Sequence, residues 1–218
     1  MAKVALVLSG CGYLDGSEIH ETVLCLLSLA KAGHQYHCFA PDKEQIKVVN
    51  HLSRKEIKME KRNALIEAAR VARGEVAPLE SLQEKDFAAI LMPGGMGAIL
   101  TLCNFAEKGI ECTVDPLLKT VLLKFYQAKK PIGATCISPL VVAQALRGVA
   151  SVEMTLGTDE HYRDILNQMG MKGKLAKVNE CISDAKHLVY TTPCYMEQRD
   201  LVGMHQGIEM LVQHMFLR

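Results

Sequence analysis

One pattern recurs along this chain and narrows its folds to a few. A short aliphatic run ends at a glycine- or proline-containing turn, and about 10–15 residues with helical spacing of apolar side chains follow. Such runs occupy residues 4–9, 36–40, 87–92 and 131–135, with later ones at 151–155, 181–184 and 187–191. Helical spacing fills most of the intervals. After Ser17, a natural cap, come Ile19, Val23, Leu26, Leu27 and Ala30, stopped at Gly33. Further helices are predicted over 63–73, 98–106, 116–128, 138–146, 159–169 and 197–217. The strand runs are too continuously apolar to have one wet face. They predict an α/β chain whose mainly parallel sheet carries helices on both faces. Residues 43–62 are charged and irregular and read as a solvated excursion. With no repeat, linker or low-complexity tract, residues 1–218 are expected to form one domain.

Composition excludes several classes. Lys and Arg number 25 against 24 Asp and Glu, so no basic face for nucleic acid is expected. No apolar run approaches the roughly 18 residues of a membrane span. Met1-Ala2-Lys3 runs straight into the first strand, which leaves no room for a signal peptide and predicts a cytoplasmic protein. The eight cysteines never form C-x-x-C, and Cys11, Cys136 and Cys194 with His20 or His161 lack metal-site spacing. Cys25 and Cys38 lie in apolar periodic segments, where a thiol acts as a small hydrophobe.

In a parallel sheet, sites form beyond the carboxyl ends of the strands. Four turns fall there: Gly10-Cys11-Gly12, Pro93-Gly94-Gly95, Thr135-Cys136-Ile137 and Thr192-Pro193-Cys194. Cys136 lies between a strand and a helix, the geometry of a nucleophile elbow, and a helix N-terminus beneath it would favour thiolate. A buried structural thiol is the plain alternative. The backbone N–H groups of Gly94, Gly95 and Ile137 would form an oxyanion hole, with the turn at Gly10 and Cys11 as a further substrate contact. Glu18 and Glu21 share a helix face, and either carboxylate can lean toward Cys136 or simply face water. A dinucleotide reading of Gly10-x-Gly12-x-x-x-Gly16 fails because its third glycine comes one residue late. A glutaminase would want H-x-E late in the chain, and His161, His187, His205 and His214 never form one.

The stretches V-L-S-G-C-G-Y-L-D-G-S-E-I-H-E, F-A-P-D-K, R-N-A-L-I-E-A-A-R-V-A-R-G, M-P-G-G-M-G-A, K-P-I-G-A-T-C-I-S-P and T-T-P-C-Y-M resemble the ElbB-type glyoxalases. These enhancing-lycopene-biosynthesis proteins are a branch of the ThiJ/PfpI superfamily. The resemblance spans nearly the whole chain. It implies a flavodoxin-like, class I glutamine amidotransferase-like fold and a homodimer. It also implies a nucleophile at Cys136 and a conjugate glutamate at Glu21 rather than Glu18. The implied activity is cofactor-independent conversion of a small 2-oxoaldehyde, glyoxal first, to glycolate. A protein that keeps the thiol for stress protection or redox sensing is the alternative. Met96, Ser138 and Ile99-Leu100-Thr101 replace residues usual in that family, so substrate preference need not carry over.

Overall fold

In the computed structural model, which describes residues 1–197 and 199–217, the alternating pattern becomes a seven-stranded sheet. The first part of the chain contains β1 (Lys3–Val7), α1 (Ile19–Lys31), β2 (Gln35–Ala40), β3 (Val49–Asn50) and β4 (Lys55–Glu56). Next come α2 (Ala64–Val71), β5 (Val76–Pro78), β6 (Ala89–Met92), α3 (Phe105–Lys108) and α4 (Pro116–Gln127). Then follow β7 (Ile132–Thr135), α5 (Pro139–Leu146), β8 (Glu153–Thr155) and α6 (Glu160–Gln168). The last part holds β9 (Lys172–Lys174), β10 (Ile182–Asp184), β11 (Val189–Thr192) and α7 (Leu201–Phe216). The main sheet runs β10-β11-β7-β6-β1-β2-β5, parallel throughout except for β10. The parallel α/β architecture is thus the one the sequence predicts.

The central strands explain their composition. Every residue of β6, β7 and β11 is buried, as are Val4 to Val7 of β1. Such strands are covered on both faces and favour apolar side chains, although Thr135, Tyr190, Thr191 and Thr192 are buried among them. Gly133 is instructive. A Cβ there would lie 2.7 Å from Leu91 Cδ1 and 2.8 Å from Met215 Sδ, so its bareness lets α7 press against β7.

Several expectations are revised. Residues 49–56 of the charged excursion form the antiparallel hairpin β3–β4. The edge strand β5, ending at Pro78, and β9 were not foreseen, and β8 pairs with β9 outside the main sheet. The helix expected over 98–106 is a π-helical turn, Ala98–Leu102, followed by the short α3. Ser17 does not cap α1, because its hydroxyl accepts the Ser9 N–H at 2.8 Å; Glu18 is the cap. The face of α1 also differs from the apolar reading: Ile19, Val23 and Leu27 are exposed, while Glu21, Thr22, Cys25, Ser28 and Leu29 are buried. The last helix begins only at Leu201, capped by Asp200. Gln198, inside the span 197–217 predicted to be helical, lies outside the described residues. No described helix is long and apolar enough to cross a membrane.

Candidate active site

Cys136 follows β7 and precedes α5 with φ at 58°, a left-handed conformation that costs a non-glycine residue roughly 1–3 kcal/mol. The surroundings enforce it. The Cys136 N–H donates to Thr192 O at 2.9 Å, and the Ser138 hydroxyl donates to Pro93 O at 2.6 Å. These bonds tie the elbow to β11 and to the turn after β6. At Gly94 a Cβ would stand 2.9 Å from the Cys136 sulfur and 2.7 Å from Glu21 Oε2. Glycine here lets the three elements meet.

Glu21 comes to the same point from the first turn of α1 and is fully buried. Its Oε2 accepts the Gly94 N–H at 2.8 Å and the Thr135 hydroxyl at 2.9 Å, and Oε1 has a long contact, 3.5 Å, with the Tyr195 N–H. Burial, reinforced by the nearby charge of Glu18, raises the carboxyl to about 7 against the opposing bonds from Cys136, Gly94 and Thr135. Glu18 is therefore not a solvated bystander. It is buried, its Oε2 accepts the Glu21 N–H at 2.7 Å, and its own N–H donates to Gly94 O at 2.9 Å.

Burial pushes the Cys136 thiol well above its ordinary value, and the charge and hydrogen bonding of Glu21 push it further. The N–H groups of Gly95 and Ile137 act on the sulfur in the opposite direction without prevailing. The thiolate expected from the helix N-terminus is corrected in direction: desolvation beside a carboxylate opposes the charged sulfur more than the N–H groups of Gly95 and Ile137 favour it.

The candidate oxyanion donors separate. Gly95 and Ile137 point their N–H groups at the sulfur, whereas the Gly94 N–H is committed to Glu21 and Thr135. The Gly94 N–H is thus spent on Glu21 and Thr135, and those of Gly95 and Ile137 are left facing the sulfur. Gly10 and Cys11 are a second correction, since neither lines the cavity at Cys136. Gly10, with φ at 112°, packs against the Gln45 side chain and Gly16, and Cys11 sits among Glu67, Arg70 and Asp15. Their turn anchors the β3–β4 hairpin instead. Asp15 Oδ2 accepts the Val49 N–H at 2.7 Å, and His51 Nε2 accepts the Leu14 N–H at 3.3 Å. Cys194, buried with φ at 48°, lies close enough to feel the charges of Glu21 and Cys136.

Cys136 and Ile137 open into a cavity of about 700 Å³. Met96, Ile99, Phe105 and Met196 give it apolar walls; Tyr13, Tyr162 and Tyr195 add aromatic surface, and Arg54 and Arg199 stand on the wall as cations. His20, also on the wall, shares a 2.7 Å hydrogen bond with the Tyr195 hydroxyl. Sequence reasoning passed over Tyr195, although it directly follows Cys194 in a turn already singled out. Nothing local marked Arg54, which sits in the charged excursion. No histidine is among the groups acting on the Cys136 thiol. His187 bonds Tyr126 and His214 bonds Ser183, both away from the cavity. Among the described residues no three His, Cys, Asp or Glu side chains come together to hold a metal ion.

Known proteins share this architecture. No family model matches the chain. Glutamine amidotransferase-like class 1 domain-containing protein 3, mitochondrial, of Homo sapiens is 39% identical over 221 residues, covering 97% of this chain and 81% of that protein. The ES1 protein homolog, mitochondrial, of Rattus norvegicus is 38% identical over 221 residues, covering 97% and 82%. A crystal structure of an isoprenoid biosynthesis protein with an amidotransferase-like domain from Ehrlichia chaffeensis superimposes with a TM-score of 0.93 at 34% identity, covering 99% of this chain and 98% of that one. Drosophila melanogaster DJ-1beta, at 19% identity and a TM-score of 0.54 over 97% and 89% of the two chains, shares the fold alone. The cytoplasmic placement read from the first residues is overturned by these relatives, since the curated ones are mitochondrial proteins. A strand beginning near the first residue reports on folding and carries no address. By identity and coverage, the chain belongs to the ES1 family of glutamine amidotransferase-like proteins.

Proposed function

We propose that this chain is a cofactor-independent glyoxalase of the ElbB-type branch, converting glyoxal to glycolate with Cys136 as nucleophile and Glu21 as acid–base group. One observation carries the reading: a fully buried carboxyl titrating at about 7 lies against a cysteine held in strained geometry at the floor of a cavity. Proton transfer works best when the donor's pKa is near the working pH. In its ionised form Glu21 takes the thiol proton as the sulfur adds to one aldehyde carbon, and the proton passes to the carbonyl oxygen. The product is a hemithioacetal. Gly95 and Ile137 donate to the oxygen while it bears negative charge. Glu21 then removes the hydrogen on the sulfur-bearing carbon as a proton, giving an enediol, and a proton is returned to the neighbouring carbon. The first carbon is now a thioester and the second an alcohol, an internal oxidation and reduction that requires no external electron acceptor. Water cleaves the thioester, releasing glycolate and restoring the thiol.

Neither rival has comparable support. A glutaminase would want a histidine at the thiol, a role that Glu21 fills here. A redox sensor needs an accessible thiolate, and burial of Cys136 works against one. Glycolate production from glyoxal, quantified for wild type and Cys136→Ala, tests the proposal. Wild type is expected to form glycolate and the variant none above the buffer rate; equal rates would refute it.

A further inference from the structure

The cavity is far too large for glyoxal. A four-heavy-atom dialdehyde displaces about three or four waters, roughly 100 Å³ at about 30 Å³ each. The space above Cys136 is about 700 Å³, well inside the roughly 300–1,000 Å³ range of sites that enclose drug-sized ligands. Its walls are not neutral scaffolding. Met96, Ile99, Phe105 and Met196 present apolar surface that water wets poorly, so an apolar body gains by filling it.

The same wall also carries two cations, Arg54 and Arg199, and neither has an ion-pair partner among the described residues. Glu18 and Glu197 also line the cavity and keep their charge, but both hydrogen-bond the protein and neither pairs with a described arginine. Glu18 accepts the Glu21 N–H at the start of α1, and Glu197 accepts the Thr158 hydroxyl at 2.8 and 2.9 Å. The arginines also come from distant parts of the chain. Arg54 is carried in by the β3–β4 hairpin, itself pinned by Asp15 and His51, and Arg199 precedes α7. Two arginines free of ion pairs on a mainly apolar wall suit an anionic group attached to an apolar body.

We propose that the cavity takes a carbonyl compound with an apolar body of medium-chain length and a terminal anionic group, carboxylate or phosphate, held by Arg54 and Arg199. The carbonyl end rests on the glyoxalase reading above; the anionic, apolar end does not. Glyoxal would then occupy only the reactive corner of the site.

Calorimetric titration of the full chain with octanoate, octyl phosphate, octanol and acetate separates the two readings, because binding requires no turnover. Octanoate or octyl phosphate is expected to bind about tenfold or more tighter than both octanol and acetate, the tighter of the two naming the anion. Arg54→Gln and Arg199→Gln should each weaken that binding, and added salt should weaken it in wild type. Anions binding no tighter than octanol in wild type would overturn the proposal, with no variant needed. So would anion binding indifferent to both substitutions. A protein that forms no glycolate yet binds octanoate through the arginines refutes the glyoxalase reading alone. One that turns over glyoxal without arginine-dependent anion binding refutes this inference alone.

Discussion

At the residue scale, the site turns on where two buried groups keep their protons. Glu21 has its carboxyl raised from 4.5 to about 7 by burial, with Glu18 reinforcing it. A folded-state value above the unfolded one stabilises the protein fully below the unfolded value, and that stability is lost as pH rises through the folded value. The loss therefore falls between about pH 4.5 and 7. At about 1.4 kcal/mol for each pH unit it is on the order of 3 kcal/mol. Glu21→Gln does not titrate. Its stability relative to wild type should rise by that order between pH 4.5 and 7 and then level off, read from denaturant midpoints across pH. A constant gap would mean Glu21 does not titrate there. Glu18 supplies part of the upward push, so Glu18→Gln should move the rise of kcat/KM with pH to lower pH. An unmoved profile would assign Glu18 to capping alone.

At the element scale, most of what places the site was legible in the sequence. The strand–turn–helix at 131–146 gave the elbow because an aliphatic run breaking at Cys136 before a proline-started helix leaves few other geometries. Glu21 and the turn at Gly94 could be named. Their relation could not, because it depends on a hydrogen bond across 73 residues of sequence. Gly10 and Cys11 were misassigned for a related reason. A glycine turn after a parallel strand looks alike whether it faces a ligand or another loop, and the partner here is a hairpin hidden in charged sequence. The exposed face of α1 misled for the opposite reason, since Ile19, Val23 and Leu27 have helical spacing yet face outward. Two glycines are required by close packing. Gly94→Ala should abolish turnover, because its Cβ would displace both the Cys136 sulfur and Glu21 Oε2. Gly133→Val should cost about 1–3 kcal/mol by wedging α7 off β7, with the elbow chemistry retained in the folded fraction. Full activity in Gly94→Ala would show that the meeting of three elements is not needed.

At the scale of the whole molecule, the parallel sheet collects groups from α1, from the turn after β6 and from the end of β7 at one floor, and hairpin and loop segments build the chamber above. The homodimer implied by the family resemblance remains a proposal with a simple reading. Sedimentation equilibrium should return twice the 24.0 kDa chain mass, and a monomer would remove it.

The central claim is that one proton, exchanged between Glu21 and Cys136, drives the chemistry. The most direct test is kcat/KM for glyoxal against pH in wild type and Glu21→Gln, with far-UV spectra confirming the fold. The wild-type profile should rise through about pH 7 as Glu21 ionises. Glu21→Gln should fall by about 10²–10⁴-fold, the usual value of a positioned acid–base group, and lose that rise. A Glu21→Gln enzyme with wild-type turnover and an unchanged profile would contradict the account.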